Sequence, residues 1–325
     1  MEAAQRREER AALRRHRELV RQAQRDQRER ARENAANEVA VFENYLDVLV
    51  SVHKDCGEQW NWQSVSIAPA PPAPVPTNTG ETATRQRLDD YKPGFFARLF
   101  GGAKKRRAEL EDDVQRAIAD DRAEHQRALA AHKKATELWD FRRKLAGAVL
   151  QRNVAAYRKA LEHIDPFSEL GEFKTRVEVM TFEPDVLALN CYLEDEDLVP
   201  KEELKLTAGG KVSEKQMAAG KYWALHQDYV CSCALRAARE SFAALPVSRV
   251  IVNVQGTRMD TSTGHLGVVT LLAINFARPE LQRINMETID PSDSLKNFHH
   301  RMKFKKSSGF EPVEPITADE QWVTT

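Results

Sequence analysis

The chain is short of cysteine, of aromatic rings and of long apolar runs. Its 325 residues hold four cysteines, Cys56, Cys191, Cys231 and Cys233, and 7% aromatic residues. Four scattered thiols are too few for the disulfide framework of a secreted scaffold, which points to a reducing interior. No apolar run approaches the roughly 18 residues that would span a bilayer, and the opening MEAAQRREERAALRRHREL has no apolar signal-peptide core. The expectation is a cytoplasmic protein. Excess charge is missing too: 49 Lys and Arg balance 49 Asp and Glu, so the molecule is no polycation built to coat nucleic acid and any basic function is local.

Several catalytic signatures are also missing. TAGGK lacks the flanks of a phosphate-binding loop, no strand-to-helix G-x-G-x-x-G occurs, and no G-x-S-x-G elbow is present. Nucleotide hydrolysis and serine-hydrolase chemistry lose their usual carriers. Cys231-x-Cys233 falls inside a predicted helix, where residues two apart point about 200° from each other and cannot share one zinc. Small core thiols are the expected role. The adjacent His299 and His300 diverge as well, and read as surface residues unless they meet a metal or phosphate.

What is present divides the chain in two. The first half is rich in Arg, Glu, Ala, Gln and Lys, whereas Val, Ile, Thr and Phe cluster after Phe173. Residues 1–55 predict a helix, charged and solvated to about Asn34, then amphipathic through Val39, Phe42, Leu46, Leu49 and Val50. Residues 56–92 read as a proline-rich linker around APAPPAPVPT, extended and unable to continue a helix. Residues 93–102 hold a short apolar plug, with Phe95, Phe96, Leu99 and Phe100 on one helical face between flanking glycines and ahead of the cations KKRR. Such a plug can pack within its own molecule or dimer, dock on a partner protein, or attach marginally to anionic lipid. Residues 103–164 predict a long helix and then a shorter one capped by Asn153. The two long helices would fold back as an antiparallel hairpin or a coiled-coil-like arm.

Residues 165–325 switch to period two. FKTRVEVMTF and VLALNCYL, separated by EPD, predict a hairpin or a pair of neighbouring strands, and RVIVNVQG and HLGVVTLLAINF predict central strands. Ser213 with Gln216 resembles a capping box for a helix reaching Leu245. RINME predicts a short strand, followed by a short helix at Pro291. The tail GFEPVEPI reads as loose. The fold expected is α+β: a helical arm, then a mostly antiparallel sheet packed on one long helix.

One constellation suggests chemistry. The order helix, strand, strand, short strand, helix, strand, with Pro184-Asp185 followed by Glu203-x-Lys205, is similar to the PD-(D/E)xK nuclease superfamily between about Asn153 and Gln255. That resemblance implies Asp185 and Glu203 as ligands of a Mg²⁺ ion, with Lys205 orienting water or stabilising charge in phosphodiester cleavage. Local turn chemistry explains EPD equally, and Glu172-x-Lys174 is a second occurrence of the short motif. Near the C-terminus Arg301, Lys303, Lys305 and Lys306 form a cationic strand able to contact phosphates or simply to protect a sheet edge. The leading expectation is a bacterial-type, non-enzymatic interaction protein without cofactor. Its partner would be another protein or a second copy through the helical arm, with nucleic acid possible and a membrane surface disfavoured. A metal-dependent nuclease and a peripheral membrane protein are the alternatives.

Overall fold

The charged, alanine-rich opening forms one unbroken helix, α1 (Glu2–Val50), because nothing in it interrupts the backbone ladder before Ser51. The computed structural model describes residues 2–95, 102–194, 198–260 and 262–320; the side chains of residues 2–21, Gln24 and Asp260 lie outside that description. Two compact units emerge, residues 61–151 and residues 1–60 with 152–325.

The 61–151 unit corrects the reading of a linker. Two helices, α2 (Trp62–Ile67) and α3 (Thr79–Asp89), flank the proline tract, and both pack on the long helix α4 (Gly102–Leu150). Asn61 caps α2 by accepting from the Ser64 amide at 2.9 Å. Trp139 of α4 donates its Nε1 hydrogen to the Ala68 carbonyl at 2.8 Å. Farther along α4, the Asp121 carboxylate accepts from the amides of Gly80 at 3.3 Å and Glu81 at 2.9 Å, capping α3 from outside. Trp139 and Asp121 are separated by about 27 Å of helix axis at 1.5 Å per residue. An extended proline segment, rising about 3.1 Å per residue, covers that span between Ala68 and Gly80. Segment 62–89 therefore runs antiparallel to α4. Proline ends helix but does not prevent packing.

In the other unit α5 (Val154–Ile164) opens on Asn153, whose side chain accepts from the Ala156 amide at 3.1 Å. The strands are β1 (Thr175–Phe182), β2 (Val186–Leu193), β3 (Glu202–Leu206), β4 (Val212–Gln216), β5 (Arg249–Asp260), β6 (His265–Ala277), β7 (His299–Lys305) and β8 (Gly309–Glu311). The helix α6 (Ala219–Ala244) stands between β4 and β5, and α7 (Arg278–Gln282) and α8 (Pro291–Ser294) follow β6. Six strands form one sheet in the order β1-β2-β5-β6-β7-β8, while β3 and β4 pair separately. Only β2 and β5 are parallel in that sheet, so the fold is α+β and mostly antiparallel. Parallel neighbours need a crossover, and the segment containing β3, β4 and α6 supplies it.

Alternation decides what each sheet face holds. Leu187, Leu189, Cys191, Val250, Val252, Val254, Leu272 and Ile274 are fully buried on one side. The intervening residues Ala188, Asn190, Asn253 and Ala273 are smaller or polar and, with the buried Ile251, form the other side. Behind the sheet α6 is buried nearly all round from Tyr229 to Ala238, since it also packs on α1, α5 and the turn Val52–Lys54.

Two local readings fail here. Ser213 is no helix cap: it pairs with Lys205 in the β3–β4 ladder, which satisfies its backbone better than an isolated cap could, and α6 begins at Ala219. RINME forms turns rather than a strand, with Ile284 and Thr288 amides bonded three residues back to Leu281 and Asn285 carbonyls.

Candidate functional site

A cluster of charged and polar groups lies where residues 52–60 strap across the second half of α6. Arg236 and Glu240, four apart on that helix, are both almost fully buried and meet Nε to Oε1 at 2.6 Å. The Glu169 carboxylate closes on Arg236 Nη2, also at 2.6 Å. Glu240 Oε1 further accepts from the Gly57 amide at 2.9 Å. Removing either member of the Arg236–Glu240 pair would leave the other poorly compensated in an apolar environment, which is why such pairs are costly to break.

Arg239, the residue before Glu240, works on carbonyls. Its Nη1 donates to His53, to Lys54 at 2.7 Å and to Asp55 at 3.2 Å. Ser232 fixes the start of the strap: its Oγ accepts from the His53 amide and meets His53 Nδ1, each at 2.8 Å. At the other end the Trp60 amide donates to Ala243 O at 2.9 Å. Adjacent residues of α6 thus hold a non-helical segment by both its amides and its carbonyls. Gly57 marks the closest point: a Cβ there would sit 2.9 Å from Glu240 Oε2, so the carboxylate would have to shift.

Two cavities flank the strap. One, of about 360 Å³, is lined by Cys56, Arg239, Phe242, Arg278, Leu281 and Met286 among others. The other, of about 230 Å³, presents Trp60, Ile164 and Pro166 beside Glu58, Glu169 and Glu240. The first suits a small apolar molecule with an anionic end; the second has the opposite charge preference. Arg278, however, is already occupied: it donates to the carbonyls of Val247 at 2.9 Å, Phe242 at 3.0 Å and Leu245 at 2.6 Å, closing the end of α6. Burial, followed by the nearby Glu240 charge, pushes the Cys56 thiol up. A thiol so held stays protonated, unlike the thiolate that nucleophilic catalysis uses. Geometry here favours holding over transferring a group.

The residues singled out from sequence are dispersed. Asp185 lies in the turn between β1 and β2, about half exposed, and pairs with Arg152. Its backbone carbonyl accepts from the Ser248 and Arg249 amides, each at 3.0 Å, so EPD fastens the hairpin turn to the start of β5. Glu203 stands on the separate β3–β4 ribbon, between Lys205 at 2.6 Å and Lys221 at 2.7 Å. Hydrogen bonds from Lys205 and then Lys221 hold its carboxyl down to about 2. The structure brings Glu203 and Lys205 together, while Asp185 belongs to a different sheet and has a different cation. Among the described residues no group of three or more His, Cys, Asp or Glu side chains could hold a metal ion.

Arg301 and Lys305 have carboxylate partners, Glu320 and Glu311; Lys303 lies on β7 opposite Glu311, and Lys306 follows β7 in the turn to β8. Phe95 is 74% exposed, while Phe96, Leu99 and Phe100 lie outside the described residues. Cys231 and Cys233 are fully buried core thiols, and burial raises the latter to about 12. His299 and His300 share a strand and so point to opposite faces. Sequence reasoning missed the strap because its anchors Ser232, Arg236, Arg239 and Glu240 follow no local motif. An Arg-x-x-x-Glu pair inside an otherwise apolar helix is the one signal that could have flagged it.

No family model, curated protein or solved structure matches the chain. Its functional reading rests on the geometry above.

Proposed function

We propose that the protein is a non-catalytic, cytoplasmic interaction protein in which the helical hairpin of residues 61–151 presents an apolar docking segment at its turn. The observation that supports this reading is the antiparallel course of α3 and α4: the chain reverses between Asp89 and Gly102, and Phe95, Phe96, Leu99 and Phe100 fall between those two residues in the sequence. Phe95, the described member, is largely exposed. Their spacing in the sequence would bring four apolar side chains together, a grouping of the kind that pairs with a second copy or a partner groove. The free thiols at Cys56, Cys191, Cys231 and Cys233 fit a reducing compartment. Among the described residues no helix is long and apolar enough to cross a membrane.

Self-association is the first consequence to measure. Size-exclusion chromatography with light scattering should give a dimer or larger species for the wild type and a monomer for Phe96→Asp. A monomer in both cases removes self-association through this segment.

A further inference from the structure

The side of the sheet away from α6 carries small and polar residues around Val186 and Ile251, and its centre is buried. The C-terminal tail crosses it. After β8 the Val313 amide donates to Thr270 O at 2.9 Å, and Ile316 then enters a socket formed by Val186, Ala188, Ile251 and Ala273, where it is 1% exposed. The register explains the socket. Ala188 neighbours Ile251, and Ala273 neighbours Asn253, so two alanines leave room for one foreign apolar side chain between the taller residues.

Asn253 reads the backbone of the same residue. Its Nδ2 donates to Ile316 O at 3.0 Å and its Oδ1 accepts from Ile316 N at 2.9 Å. This two-point contact copies the donor and acceptor pattern of a neighbouring strand and recognises extended peptide irrespective of side chain. A second reading point lies four residues on. Arg301 grips both oxygens of Glu320, Nη1 to Oε1 at 3.2 Å and Nη2 to Oε2 at 2.7 Å, and also donates to Pro315 O at 2.8 Å. Pro312 and Pro315 pre-set extended backbone, which lowers the cost of ordering the segment. Residues 312–317 themselves form neither helix nor strand.

We propose that this face is a docking site for an extended acidic protein segment, with an isoleucine in the alanine socket and a carboxylate four residues later on Arg301, and that residues 312–320 occupy it in cis when no partner is bound. The occupant is a segment of another protein. Its chemistry is defined by what the site already holds: a backbone for Asn253, an apolar branch for the socket and an acid for the guanidinium. The tethered tail competes at an effective concentration on the order of millimolar, so free peptide meets an almost closed site in the wild-type chain.

The test uses the full chain and a fluorescein-labelled synthetic peptide of the sequence EPVEPITADE. Ile316→Asp should release the tail and bind the peptide saturably, at least about tenfold more tightly than wild type. A peptide carrying Asp in place of its isoleucine should not bind, and adding Asn253→Ala to the released chain should abolish binding. Glu320→Ala, a milder release, should give an intermediate affinity. Peptide binding no stronger than wild type in a folded Ile316→Asp chain overturns the proposal. So does an unfolded Ile316→Asp chain together with an unchanged Glu320→Ala chain, since the tail is then a fixed part of the core. A wild-type dimer abolished by Ile316→Asp but unaffected by Phe96→Asp would make the occupant a second copy's tail, and would overturn the assignment to another protein.

Discussion

His226 faces inward on α6 amid four aromatic rings. Tyr222, Trp223, Tyr229 and Phe310 lie within 6.5 Å of its ring, centroid to centroid, and its Nδ1 is buried without a hydrogen-bond partner. Burial, with a smaller contribution from Arg258, holds its pKa down to about 4. The unfolded chain, with an ordinary histidine pKa near 6.5, therefore binds the proton more readily. Stability from this residue is complete above about pH 6.5 and declines as pH falls towards 4, by about 3 kcal/mol at most. Urea denaturation of wild type and His226→Leu at pH 7 and pH 4 should show the wild type losing more by that order. The comparison cancels the carboxylates and His53, whose pKa burial and Lys54 also lower, because both chains share them.

The β7–β8 hairpin depends on one glycine. Among the described glycines, Gly210, Gly264 and Gly309 have positive φ of +74°, +71° and +80°, and at Gly309 a Cβ would lie 2.4 Å from the Trp223 ring. Gly309→Ala combines a left-handed backbone with a ring that is wedged against Tyr222 and His226. We expect a loss of about 2 kcal/mol or more, read as a lower midpoint in thermal melting. Elements were legible where the pattern is local. The alternation in VIVNVQG separates Val250, Val252 and Val254 from Ile251, Asn253 and Gln255, and Asn153 caps α5 as its position suggests. Legibility failed where a distant partner decides. Ser213 belongs to a strand because β3 is beside it, the helices flanking the proline tract form because α4 offers them a surface, and GFEPVEPI is held by Asn253 from another element. The strap anchors were invisible for the same reason.

At the scale of the molecule, the nuclease-like pattern divides between two sheets. Asp185 serves a turn and Glu203 a lysine pair, so Asp185→Ala and Glu203→Ala should leave any phosphodiester cleavage in Mg²⁺ or Mn²⁺ unchanged. A plasmid and single-strand assay in which both variants lose a wild-type activity would restore the metal reading. The sheet also carries a kinetic consequence. Val186 pairs with Arg249 across the whole α6 crossover, so β2 acquires its second neighbour only after that helix has docked. Until then the β1–β2 hairpin shows the open edge of VLALNCYL, an almost wholly apolar strand able to template another chain. Refolding yield should fall as protein concentration rises, with aggregates formed before the parallel pair closes; a strand interior to the finished sheet presents an adhesive edge while it is being made.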